Sequence, residues 1–303
     1  MEPELYFPSP ALCSTKWWST ETVAVVTGGN RGIGFALVKR LAELGLNVVL
    51  TARNNQNGEA AMENLRAQGL AQNIHFLQLD VSDPASITAF ASSFKAQFGP
   101  TLDILVNNAG VSFNDLNENS VDHAESVIKT NFYGPKLLIE ALLPLFRSSS
   151  SFGTRILNVS SRLGSLNKMR NAEMKRVLES DELSEEEIEG VVRMFLSDVR
   201  KGTWKSKGWP SYWTDYAVSK LALNAYSKVL AKRSNSNSYG LSVNCFCPGF
   251  TQTPMTNGKG THSAAYAADL AATLALLPPC HLPTGKFFLL RKNSNVLGAA
   301  SKL

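Results

Sequence analysis

Apolar and polar positions along the chain follow two periods, and the changes of period mark where strands give way to helices. Residues 22–27 (TVAVVT) form a short β-branched apolar run closed by Gly28-Gly29, which predicts a buried strand. Ile33, Leu37, Leu41 and Leu44 then recur at helical spacing, and Gly45 stands where a helix C-cap glycine belongs. Residues 46–51 (LNVVLT) predict the next strand, so the chain opens with a β-α-β unit. The alternation continues with a strand over 74–81. Ser82-Asp83-Pro84 then starts a helix striped by Ile87, Phe90, Ala91, Phe94 and Phe98. Further strands are predicted at 102–106, 155–159, 241–247 and 286–290, with helices at 121–146, 216–231 and 264–277. This rhythm predicts an α/β fold of Rossmann type: a doubly wound, mostly parallel sheet with helices on both faces.

One segment, 165–214, breaks the rhythm. It carries the acidic run Asp181-Glu182 to Glu187, an apolar stripe at Leu183, Ile188, Val191, Val192 and Phe195, and the aromatics Trp204, Trp209, Tyr212 and Trp213. The acids suit a solvated helix face, while the stripe needs a surface to cover. A helical insertion packed on the main domain is the expectation. The predicted organisation is an N-terminal arm (1–20), one domain (21–291) and a tail (292–303), with surface loops at 148–151 and 234–238.

Composition narrows the class. The chain has 303 residues, 44% of them apolar and 18% charged, which excludes a disordered or collagen-like protein. A net charge of +5 spread over scattered basic residues gives no footprint for nucleic acid. Cys13, Cys245, Cys247 and Cys280 lack C-x-x-C spacing, and His75, His123, His262 and His281 are isolated, so no metal site is expected. No secretory signal or membrane span is visible. The last residues, Ser301-Lys302-Leu303, match a receptor-read peroxisomal address, provided that Ala299-Ala300 before them form a loose, exposed end. The cytosol is the alternative location.

Three clusters carry chemistry. Gly28-Gly29-Asn30-Arg31-Gly32-Ile33-Gly34 lies between a strand and a helix, where a turn glycine, a close-approach glycine and a helix-packing glycine cradle a diphosphate against a helix N-terminus. The second strand ends in Arg53 rather than an acid, and Arg31 stands in the glycine loop. Two guanidinium groups suit a 2′-phosphate, hence NADP(H) over NAD(H). Tyr216 and Lys220 share a helix face at i, i+4, while Ser160-Ser161 and Asn107-Asn108 end two strands and Asn131 lies within a helix. The carboxyl ends of the strands bring these groups to one edge of the sheet.

The set TGGNRGIG, NNAG, Asn131, NVSS, YAVSK and Pro248-Gly249 with Thr253 resembles the short-chain dehydrogenase/reductase superfamily over residues 20–290. The long insertion before the tyrosine is similar to the NADPH-dependent carbonyl reductases. LTAR, QLDVSD, KGTWKSKGW and the N-terminal FPSPALCSTKWW look like their plant branch, that of salutaridine reductase, menthone reductases and neomenthol dehydrogenases.

The resemblance implies a role for each matching residue. Tyr216 would be the general acid, Lys220 would lower its pKa and hold the nicotinamide ribose, Ser161 would hydrogen-bond the substrate oxygen, and Asn131 would hold a water. Asp80 and Val81 would border the adenine, Asn108 the ribose, and Pro248, Gly249 and Thr253 the nicotinamide and diphosphate. The implied activity is hydride transfer from NADPH to a small, largely apolar ketone, quinone or aldehyde. The contrasting reading is a non-catalytic NADP-binding scaffold or redox sensor. The insertion implies a monomer, and its aromatics would either roof the substrate pocket or only pack the insertion.

Overall fold

The computed structural model describes residues 16–113, 119–147, 153–236, 240–278, 282–290 and 297–300. The chain runs β1 (Val23–Val26), α1 (Gly32–Glu43), β2 (Asn47–Ala52), α2 (Asn55–Ala67), β3 (Ile74–Gln78), α3 (Pro84–Phe98) and β4 (Leu102–Asn107). It continues through α4 (Val121–Ile128), α5 (Gly134–Leu142), β5 (Thr154–Val159), α6 (Ala172–Glu179), α7 (Glu185–Arg200) and α8 (Thr214–Ser236). The last elements are β6 (Leu241–Cys247), α9 (Ala264–Ala275), β7 (Phe287–Leu290) and β8 (Leu297–Ala300).

The sheet order is β3-β2-β1-β4-β5-β6-β7-β8. β1 to β7 are parallel, and β8 pairs antiparallel with β7. The strand order reverses between β1 and β4, which opens a crevice at their carboxyl ends. Strands such as β4 and β6 are buried along their whole length, as a sheet covered on both faces requires. One apolar layer joins the sheet to α1, α2 and α9 through residues such as Leu37, Leu65 and Ala271. The other joins it to α3, α5, α8 and the insertion helix α7 through Phe94, Leu138, Tyr226 and Phe195.

The insertion is part of the core. Ser184 and Glu187 form a reciprocal capping box that starts α7. Its predicted stripe, Ile188, Val191, Val192 and Phe195, is buried. The Trp209 ring meets Phe195 edge-on at 5.2 Å while its indole N–H donates to Asp198 at 2.9 Å. Among the described residues no helix is long and apolar enough to cross a membrane.

Several expectations are corrected. Helix α2 has no counterpart in the predicted pattern, because its buried face is made of Gly58, Ala61, Met62 and Leu65, a stripe too small to read. The strand predicted over 74–81 ends at Gln78, so Asp80 and Val81 lie in the turn after it. The single helix predicted over 121–146 is split by one wide turn, Lys129–Tyr133, in which the Gly134 N–H reaches back five residues to the Lys129 carbonyl. Pro135 has no N–H to continue the ordinary ladder, which leaves the register free to widen there.

Ala299-Ala300 are not a loose end: they pair with Phe288 and Phe287 in β8. The sheet therefore closes at Ala300 and not near residue 290. Residues 16–20 of the arm are seated, with the Trp17 and Trp18 indoles donating to the Leu276 and Leu44 carbonyls at 3.1 Å. Cys13, Cys280, His281 and Ser301-Lys302-Leu303 lie outside the described residues.

Candidate active site

The glycine loop follows β1 and is held by three anchors. The Gly29 N–H donates to the Thr51 carbonyl at 2.8 Å, which ties the loop to the end of β2. The Thr27 hydroxyl accepts the Asn108 and Ala109 N–H groups at 2.9 Å. The Asn108 side-chain amide donates to the Thr27 and Gly28 carbonyls at 2.9 and 3.3 Å. Asn108 thus secures the loop to β4, and its N–H groups are committed to the protein. Gly28 and Gly32 take φ values of +64° and +58°, a region that a side chain disfavours. A Cβ on Gly34 would strike the Gly28 carbonyl, so only glycine lets α1 rise directly out of the loop.

Asn30 and Ile33 are half-buried in this loop, and Arg31 is the exposed N-cap residue of α1. Arg53 is exposed one residue past β2. Neither guanidinium has a protein partner among the described residues. Pro248 is buried after β6, Gly249 has φ +77°, and the Thr253 methyl lies where it would sit 3.4 Å from a Cβ on Gly32. A wide crevice of about 670 Å³, lined by Gln252, Thr253, Pro254, Asn257 and Gly258, opens beside them. Asp80 accepts the Ser82 N–H and hydroxyl at 2.9 and 2.7 Å and shapes the turn after β3. Val81 is buried, with its carbonyl against Gly134 of α5.

The second cluster is built by α8 lying against the end of β5. Lys220, Asn224 and Ser227 recur at i, i+4 and i+7, one face of the helix. The Lys220 ammonium donates to the Val159 carbonyl at 2.8 Å, Asn224 accepts the Ser160 hydroxyl at 2.6 Å, and Ser227 accepts from the Asn158 amide at 2.8 Å. Gly164 makes this approach feasible, since a Cβ there would lie 2.6 Å from the Lys220 carbonyl carbon. The two serines therefore divide. Ser160 is buried and turned to α8, whereas the Ser161 side chain hydrogen-bonds the Tyr216 phenol and accepts the Leu163 N–H at 3.2 Å.

Tyr216, one turn before Lys220, is half-buried, and the Lys220 ammonium lies 5.6 Å from its ring centroid. Burial pulls the Lys220 ammonium down to about 8, against a smaller opposing pull from Cys245 and Cys247. Burial also pushes the Tyr216 phenol above its ordinary range, with the Ser161 hydrogen bond opposing it. The expected lowering of the phenol pKa is thus not met, because desolvation outweighs the Ser161 hydrogen bond. The Cys247 thiol accepts the Arg162 N–H at 3.2 Å behind Ser161, and Cys245 is a buried thiol pushed up to about 12 by burial.

Asn131 sits in the wide turn between α4 and α5 and is fully buried. Its side chain accepts the Val111 N–H at 2.8 Å and donates to the Val111 carbonyl at 2.9 Å and to Ser219 at 3.1 Å. Those N–H groups are spent within the protein. Its backbone carbonyl lacks the ordinary i+4 donor, because residue 135 is a proline.

Sequence reasoning missed two participants, the Val159 carbonyl that anchors the lysine and Ser219 that joins Asn131 to the catalytic helix. Trp213, one of the aromatics expected either to roof the pocket or to pack the insertion, meets the Tyr216 ring edge-on at 6.0 Å. Ser219 was within reach of a spacing argument, since it follows Tyr216 by three and precedes Lys220 by one.

Known proteins share this fold and much of this sequence. Residues 22–194 match the model of the short chain dehydrogenase family. The chain is 40% identical over 291 residues to (+)-neomenthol dehydrogenase of Arabidopsis thaliana, covering 89% of this chain and 96% of that one. It is 37% identical to carbonyl reductase [NADPH] 1 of Mus musculus, covering 89% of this chain and 96% of the other. The solved structure of salutaridine reductase from Papaver somniferum superposes with a TM-score of 0.80 at 37% identity, over 88% of this chain and 99% of that one. A glycine loop tied to β4, a tyrosine one helical turn from a buried lysine, and these relatives over most of their length lead to one conclusion: the chain is an enzyme of the short chain dehydrogenase family, of the carbonyl reductase kind.

Proposed function

We propose that the protein reduces the carbonyl group of a small, largely apolar ketone, quinone or aldehyde with NADPH, Tyr216 acting as the general acid. The observation that carries the reading is the placement of the Tyr216 phenol against Ser161 with the Lys220 ammonium buried beside it. The residues present fit the dinucleotide. Gly34 lets the α1 N-terminus face a diphosphate, and Arg31 and Arg53 stand unpaired where a 2′-phosphate needs cations. Bound NADPH supplies the hydride.

Every other step falls to this chain's side chains. Ser161 and Tyr216 hydrogen-bond the substrate oxygen, and Tyr216 Oη gives it a proton as negative charge develops there. Lys220, charged below about pH 8, stabilises the phenolate that remains. A water on the Asn131 carbonyl links Lys220 to solvent. The apolar character of the substrate follows from Phe113, Tyr212 and Phe250, exposed on loops after β4, before α8 and after β6. All three loops rise at the carboxyl edge of the sheet.

With NADPH and a panel of ketones, quinones and aldehydes, Tyr216→Phe is expected to lose about 10²–10⁴-fold in kcat. Ser161→Ala should fall about 10- to 100-fold in kcat, by loss of one charge-stabilising donor. Ser160→Ala should keep its rate and lose about 1 kcal/mol of stability in urea titration, as its buried bond to Asn224 is removed. Equal turnover by wild type and Tyr216→Phe would refute the assignment. Arg53→Asp is expected to raise the KM for NADPH at least about tenfold while leaving that for NADH within about twofold, since a charge-assisted phosphate contact is worth more than about 1.4 kcal/mol. An unchanged ratio removes Arg53 from 2′-phosphate recognition.

The reading extends to assembly and location. Helix α7 lies over α4 and α8, with Lys136 of α5 between Glu185 and Glu189 of α7 and Arg233 of α8 bonded to Glu185 at 2.8 Å. A helix face covered in this way within one chain is unavailable to a second copy, which supports a monomer. Light scattering should return the mass of one chain, and a dimer or tetramer would contradict it. With Ala299-Ala300 paired in β8 rather than loose, Ser301-Lys302-Leu303 would direct the enzyme to the peroxisome only if these three residues alone reach its import receptor. Deleting these residues should release a tagged protein to the cytosol, and a full-length protein already cytosolic would show that the tail is not used.

A further inference from the structure

Among the described residues with positive φ that are not glycine, Trp213 (φ +47°) and Asn257 (φ +49°) stand out. Asparagine tolerates the left-handed region, but a bulky aromatic residue does so at a cost. The Trp213 carbonyl accepts the Ala217 N–H at 2.7 Å, the first bond of α8. Its indole stacks on the half-exposed Tyr212 at 5.4 Å and turns its edge to the Tyr216 ring at 6.0 Å, with 84° between the planes. The indole N–H is buried and has no acceptor among the described residues. An unpaired buried donor is rare in a folded protein and calls for an explanation. Trp209, four residues earlier in the same insertion, has its N–H paired with Asp198. A strained backbone and an unpaired donor thus fall together on the residue that walls the catalytic phenol, and such outliers concentrate at ligand clamps.

We propose that Trp213 is a substrate-specificity residue whose indole N–H donates a hydrogen bond to a second oxygen of the substrate, close to the carbonyl that Tyr216 protonates. The proposal rests on Tyr216 being the acid. It sharpens the substrate class from an apolar ketone to one with an oxygen acceptor on a neighbouring carbon, such as a dicarbonyl, an alkoxyketone or an acyloin. The donor has no access to solvent, so meeting that oxygen requires the indole to turn as the ligand enters beside Tyr216. That turn gives the donor its acceptor. A substrate without the second oxygen gains only contact with the ring, because the desolvated N–H stays unpaired.

The test compares 2-methoxycyclohexanone with 2-ethylcyclohexanone, similar in size and differing in the acceptor, on the NADPH-loaded enzyme. The wild type is expected to favour the methoxy ketone about tenfold or more in kcat/KM. Trp213→Phe keeps a ring and removes the donor. It should abolish that preference, the methoxy ketone losing about tenfold or more in kcat/KM relative to the ethyl ketone. An equal fall for both ketones would assign Trp213 a purely structural role, and no preference in the wild type would overturn the proposal without any variant. Dissociation constants for the two ketones on the NADP⁺-loaded enzyme, by calorimetry, carry the same comparison. A binding preference that Trp213→Phe abolishes, with neither ketone turned over, would contradict the carbonyl-reducing reading and sustain the one for Trp213.

Discussion

The site depends on a lysine ammonium held out of water by a single backbone carbonyl. Lys220 is 4% exposed, and its bond to the Val159 carbonyl fixes α8 against the end of β5. A buried cation is costly unless it is hydrogen-bonded. A depression to about 8 corresponds to about 3 kcal/mol against the charged form. Because the folded-state value lies below the unfolded one, this group opposes folding below about pH 8. The opposition fades as the pH rises toward 10.5. The fold sustains that cost through its neighbours: Asn224 and Ser227 extend the same polar face of the helix onto Ser160 and Asn158, and Gly164 permits the close approach.

The same constraint orders the remaining catalytic groups. With Lys220 seated on β5, Tyr216 must rise one turn earlier, over Ser161, and Ser219 must point toward Asn131. Asn131 in turn holds the Val111 backbone, which continues the chain from the Asn108 loop that grips the glycine turn. The glycine loop, the Tyr216 helix and Asn131 are thus linked by hydrogen bonds. The insertion covers α4 and α8 and brings Trp213 to the phenol.

The strands of the parallel sheet were legible because β-branched runs such as residues 22–27 bounded by glycines have few other readings. The site was legible because each of its motifs ends a strand or starts a helix. What the sequence hid has physical causes. Half of the face that helix α2 buries is glycine and alanine, Gly58 and Ala61, which leaves Met62 and Leu65 alone to signal it. The wide turn at Asn131 arises from a proline four residues on, and a helical pattern passes through it unbroken. β8 is set by pairing with a distant strand, which local composition does not report. The division between Ser160 and Ser161 depends on which one faces α8, a matter of pleat and packing. The shift of Tyr216 is set by desolvation, and its direction is not contained in a Tyr-Lys spacing.

The central claim is that Lys220 is a buried, depressed ammonium, and its titration tests it directly. Lysine labelled with ¹³C at the ε position, with the Lys220 signal assigned by its loss in Lys220→Arg, gives a midpoint by NMR. A midpoint near 8, apart from the other lysines, is the expected result. Titration of Lys220 with the exposed lysines, near 10.5, would contradict it.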